Sequence, residues 1–142
     1  MRLGRRLGRL LGMSWTDRLL LIEATLLLAA ARIVLVCVPF RRIVPWLERA
    51  PETPACDGTA VIAVRRAVTL AAHNVPWNAV CLPQAMAAKA MLARRGQGSA
   101  LHIGAGMAEA GRLNAHAWLV AGGEVVIGEA GIAEVAPLAR FG

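Results

Sequence analysis

Three cysteines and three histidines hold most of the chemistry in this 142-residue sequence, and Cys81 is the cysteine whose surroundings activate a thiol. It stands where a loop, Asn74 to Val80, meets an Ala-, Met- and Leu-rich run from Leu82 to Arg95. Pro83 lies in the first turn of that run and Gly96 just past its end, which are helix start and stop signals. A cysteine there feels unpaired backbone N–H groups and the positive end of the helix dipole, and both favour the thiolate. Cys37 lies in an apolar run and Cys56 in a Pro-rich stretch, without that activation. The competing reading of Cys81 is a buried small hydrophobe, the common fate of a free cysteine.

The base to match it is His116, within Asn114-Ala115-His116-Ala117-Trp118-Leu119. The alternation is that of a strand with His116, Trp118 and Val120 on one face. If Gly122-Gly123 is a two-residue hairpin turn, Ala121 faces Glu124 and His116 stands opposite Glu129. Directly opposed Cβ atoms lie about 4.5–5.5 Å apart, near enough for a carboxylate to orient an imidazole. Cys81, His116 and Glu129 thus form a candidate triad of nucleophile, base and orienter. A longer turn shifts the register and brings Gly128 or Ala130 opposite His116 instead; the other reading of Glu129 is a solvated strand-end carboxylate.

Other sets are weaker. Cys81, His102 and His116, with or without Cys56, lack the short spacings of zinc sites, so no metal or other cofactor is expected. Gly104-Ala105-Gly106 does not open a helix from a strand, as a dinucleotide site requires. His73 reads as a helix C-terminal residue, His102 as a strand residue, and Ser14 and Ser99 have no neighbouring base.

These residues need elements to position them. Ser14 reads as the N-cap of a Leu-rich helix, with Asp17 facing its dipole and Pro39 stopping it after Val38. A short helix over Phe40 to Leu47, a linker from Glu48 to Gly58 and an amphipathic helix from Thr59 to His73 follow. After the Cys81 helix come strands at Ser99–Gly104, Leu113–Val120 and Glu124–Gly128. Helices first and then a small antiparallel sheet define the α+β class. The division expected is a basic arm and apolar helix over 1–50, and a catalytic core over 59–142.

The composition, 57% hydrophobic with 18% charged residues, excludes disorder and implies exposed apolar surface. Of the net charge of +7, residues 1–50 carry +6, from nine Arg against Asp17, Glu23 and Glu48. Leu3, Leu7, Leu10 and Leu11 alternate with Arg2, Arg5, Arg6 and Arg9, an amphipathic pattern for an anionic membrane or a partner. Without a basic stripe carrying aromatics, nucleic acid is not an expected partner. The odd, scattered cysteines suit a reducing cytoplasm. Residues 19–40 approach the length of a membrane span, but Glu23 and Arg32 interrupt them. Glu23 also argues against a signal peptide ending at Ala29-Ala30-Ala31, and a buried or interface helix is the reading preferred.

Taken together, Val75-Pro76-Trp77-Asn78-Ala79-Val80-Cys81-Leu82-Pro83-Gln84-Ala85, the helix end Leu92-Ala93-Arg94-Arg95-Gly96 and Ala115-His116-Ala117-Trp118-Leu119 resemble the lasso peptide biosynthesis B2 proteins. These are leader peptidases with a transglutaminase-like, papain-like core, the catalytic Cys at a helix N-terminus packed on a small antiparallel sheet. The resemblance covers Thr59 to Phe141, and more loosely the first helix and Pro39-Phe40-Arg41-Arg42.

The resemblance implies Cys81 as nucleophile and His116 as base. The family's third residue, an aspartate after the histidine strand, has no counterpart here, so either Glu129 substitutes or the site is a dyad. The implied reaction cleaves one peptide bond of a ribosomally made precursor through a thioester. The backbone N–H of Cys81 helps hold the oxyanion, joined by Trp77 or Gln84, and Trp118 accompanies the site. Implied partners are the precursor peptide, a separate small leader-binding protein (a RiPP recognition element) and an ATP-dependent lasso cyclase. Two alternatives stand beside this: a transglutaminase or amide acyltransferase on the same core, and a non-catalytic adaptor of a biosynthetic complex.

Overall fold

The computed structural model describes residues 2–107 and 109–142. Helices α1 (Arg2–Leu11), α2 (Trp15–Cys37), α3 (Phe40–Leu47), α4 (Gly58–Asn74) and α5 (Cys81–Arg94) precede strands β1 (Ala100–Met107), β2 (Leu113–Ala121), β3 (Glu124–Ile127) and β4 (Ala136–Phe141). The sheet is antiparallel, in the order β3-β2-β1-β4. This is the expected α+β arrangement. Side chains of Arg2, Leu3, Arg6 and Leu7, part of the amphipathic pattern of the arm, lie outside those described.

Helix α2 begins where its cap dictates: the Ser14 hydroxyl accepts from the Asp17 backbone N–H at 3.2 Å and satisfies one of the unpaired donors of the first turn. Its length and apolar composition are sufficient to cross a membrane. One stripe of it, Ala24, Leu28 and Ala31, is buried against α4 and α5. Glu23 closes the contact, its carboxylate accepting from Arg95 at 2.7 and 3.1 Å.

The hydrophobic core is one cluster running from Ala24 of α2 to Ile127 of β3. Residues of α2 and α3 pack in the same cluster as those of α4 and α5. The stretch before α4 is not loose. Ala50 O accepts from Ser99 N at 3.1 Å, Asp57 N donates to Gln97 Oε1 at 2.8 Å, and Asp57 caps α4 through Thr59 N at 2.9 Å.

Helix α5 ends in a Schellman motif, with Gln97 N donating to Leu92 O at 2.9 Å and Gly96 N to Ala93 O at 3.0 Å. The chain then turns directly into β1. On the helix-facing side of the sheet, Leu101, Leu119 and Ala121 enter the core. Strand β4 was not expected from the sequence. Its Pro137 cannot donate to a ladder, but β4 is an edge strand, where that loss is tolerated.

Candidate active site

Cys81 is the first residue of α5, and the position before it holds Val80, which provides no side-chain cap. A helix that starts on Val rather than Ser, Thr or Asp leaves its first N–H groups free for another acceptor. Pro83 removes one competing donor without cost. The thiol is half-buried and free. The preceding loop is braced by Gln84, whose Nε2 donates to Ala79 O at 2.5 Å. Trp77 lies in that loop with its indole N–H buried and without a hydrogen-bond partner among the described residues, an unsatisfied donor of the kind that calls for an explanation.

His116 lies on β2, where β1 pairs Gly104 opposite it. On the other side the hairpin opens as expected, with Ala121 facing Glu124 and Val120 facing Val125. The register then shifts, and Leu119 pairs with Ile127. A β-bulge at Val126 causes this and lets Val126 and Ile127, adjacent in sequence, both bury at 3% and 5% exposure. A regular strand would send one of them to solvent. Arg65 of α4 stabilises the bulge by donating to the carbonyls of Val126, at 3.0 Å, and Val125.

The bulge corrects the expected pairing of His116 with Glu129. Strand pairing ends at Ile127, Gly128 turns the chain at φ +85°, and Glu129 is exposed. The imidazole Nε2 instead stands 2.6 Å from the carbonyl oxygen of Gly128. A carbonyl only accepts, so Nε2 carries the proton and Nδ1 keeps the lone pair of a base.

Trp118 and His116 lie on the face alternate to Leu119. The rings of His102, Trp118 and His116 form a stack there, with centroid separations of 5.3 and 6.1 Å. Burial, aided by Arg140 and opposed by Glu52, lowers the pKa of His102. The Gly104-Ala105-Gly106 pattern serves this face too. A Cβ at Gly104 would stand 2.8 Å from the Val135 side chain, and one at Gly106 would stand 2.2 Å from Glu134 O. The glycines admit the turn at Ile132–Glu134 onto the sheet.

The structure thus joins His116 to Trp118, His102 and Gly128. Cys81 and Gln84 lie in the first turn of α5 and Trp77 in the loop before it, and no hydrogen bond links Cys81 to His116 among the described residues. No group of three His, Cys, Asp or Glu side chains among those residues is arranged to hold a metal. Sequence reading missed Arg65 and the Gly128 carbonyl. The signal was available in Val125-Val126-Ile127, three consecutive apolar residues that break a two-residue alternation just before a glycine.

A thiol opening a helix that packs on an antiparallel sheet, with a histidine on an inner strand, defines a class of α+β protein built around a cysteine nucleophile. The transglutaminase-like superfamily model matches residues 24–140, and the chain belongs to that superfamily. Its core is of the cysteine peptidase and acyltransferase type, and the match includes most of α2. Comparison with curated proteins and with solved structures returns no match.

Proposed function

We propose that this protein is a cysteine peptidase that removes the leader from a ribosomally made lasso precursor, acting with a separate leader-binding protein ahead of an ATP-dependent cyclase in the cytoplasm. The observation that carries the reading is the free thiol of Cys81 at the uncapped N-terminus of α5, within a transglutaminase-like chain. The resemblance of the motifs around Cys81 and His116 to those of lasso leader peptidases supports leader cleavage as the reaction.

In this reading Nδ1 of His116 takes the Cys81 proton once substrate binding brings the two side chains, unlinked in this structure, into reach, and the thiolate attacks the scissile carbonyl, forming a C–S bond. The oxyanion is held by the Cys81 backbone N–H and by the unpartnered indole N–H of Trp77. Gln84 supports the loop that carries Trp77. His116 returns the proton to the departing amine as the C–N bond breaks. Water, deprotonated by His116, then attacks the thioester, and the C–S bond breaks to restore the thiolate. Gly128, rather than the exposed Glu129, orients the imidazole, and Trp118 packs beside it. An amine in place of water would make the same thioester an acyl donor.

Mass spectrometry of a lasso precursor incubated with this protein and a leader-binding partner tests the reading. Cleavage at one bond, abolished in Cys81→Ala and largely retained in Glu129→Ala, is expected. Equal behaviour of wild type and Cys81→Ala would leave the adaptor as the better account, and an amide product would make the protein an acyltransferase. Loss of activity in Glu129→Ala would assign the orienting role to its carboxylate.

A further inference from the structure

Helix α2 buries one side in the core and leaves the other bare. Trp15, Leu19, Ile22, Leu26, Ile33 and Val36 are 52–79% exposed. Their spacing of three, four and seven residues places them along one stripe of the 23-residue helix. A continuous apolar stripe of this length needs a covering surface.

The charges around it identify that surface. Arg32 flanks the stripe, Arg5 and Arg9 of α1 precede it, and Arg41 and Arg42 of α3 follow it, all exposed. The acidic residues of this region do not balance them. Glu23 is engaged by Arg95 and Arg94, Asp17 accepts from the Ser14 hydroxyl at 2.7 Å in the first turn, and Glu48 lies beyond α3. A second copy of the chain would bring cations against cations. We propose that the outer face of α2, with the arginines of α1 and α3, docks the protein on an anionic lipid surface, the helix lying in the plane of the interface.

Two features select an in-plane helix over a spanning one. The opposite face is committed to α4 and α5 through Ala24, Leu28 and Ala31, and crossing the bilayer would strip Glu23 from Arg95. An apolar face rimmed by arginine, with Trp15 at one end, is the composition of helices that bury their apolar side at the headgroup boundary.

Co-sedimentation of the full chain with vesicles of phosphatidylglycerol, phosphatidylcholine or a mixture tests this. Binding should require phosphatidylglycerol and fall as salt rises. Replacing Leu19→Glu and Leu26→Glu should lower the partition coefficient about tenfold per site, and Arg5→Ala with Arg9→Ala about fivefold per arginine. These side chains are exposed, and unchanged thermal melts would show that the variants fold. Equal binding to phosphatidylcholine, or none to either lipid, would overturn the proposal. So would resistance to alkaline carbonate extraction, which would make α2 a span, or a dimer in light scattering that Leu19→Glu and Leu26→Glu dissociate without any vesicle binding.

Discussion

Replacing Glu23 by Gln should weaken the tie between α2 and α5 without changing the shape of the side chain. Glu23 is 19% exposed and Arg95 30%, and two charge-assisted hydrogen bonds of 2.7 and 3.1 Å join them. Hydrogen bonds to charged groups contribute about 1.5–3 kcal/mol, and an unpaired, partly buried guanidinium adds its own penalty. A loss of about 2 kcal/mol is expected once solvent screening is discounted. At about 2.1 cal/mol/K per residue, the 142-residue chain has an unfolding entropy near 0.3 kcal/mol/K, so Tm should fall by about 7 °C.

The pH dependence has a definite sign. The hydrogen bond from Arg95 holds the Glu23 carboxyl below its ordinary value of 4.5. On acidification the unfolded chain therefore takes up the proton first. The stabilisation is complete above pH 4.5 and disappears as pH falls through the lowered folded value, so wild type and Glu23→Gln should converge in acid. Thermal melts of wild type, Glu23→Gln, Arg95→Met and the double variant would measure the coupling directly. Additivity within about 0.5 kcal/mol at neutral pH would refute the argument, because contacting partners cannot be independent.

Other outcomes follow from the same geometry. Gly128→Ala should cost about 1–3 kcal/mol of backbone strain, since its Cβ would meet Ala117 O at 2.6 Å, and should slow the proposed cleavage by displacing the carbonyl that holds His116. Iodoacetamide mapping should still find Cys81 reactive in that variant. Arg65→Met should lose about 1–3 kcal/mol by freeing two buried-edge carbonyls, with hydrogen exchange rising first in β3. Burial lowers the Lys89 pKa to about 8 from 10.5. Between those values the unfolded chain holds the proton more tightly, so stability should rise with pH, and urea titrations of Lys89→Met should show a flatter dependence.

Much of this molecule was determined locally. Ser14, Pro39, Pro83 and Gly96 set helix ends through an acceptor supplied, a donor missing or a backbone shape allowed, all legible without a partner. Cys81 at the start of a helix and His116 on a strand follow from the same local chemistry. The orientation of His116 did not, because a single bulge at Val126 moved Glu129 away and brought Gly128 in. That bulge exists because Val126 and Ile127 both bury in the core and Arg65, 61 residues away from Val126 in the chain, satisfies the edge. Likewise Glu23, read alone, only interrupts an apolar run. It takes the packed position of Arg95 to make it the tie between α2 and α5, and the burial of one helix stripe to leave the other exposed.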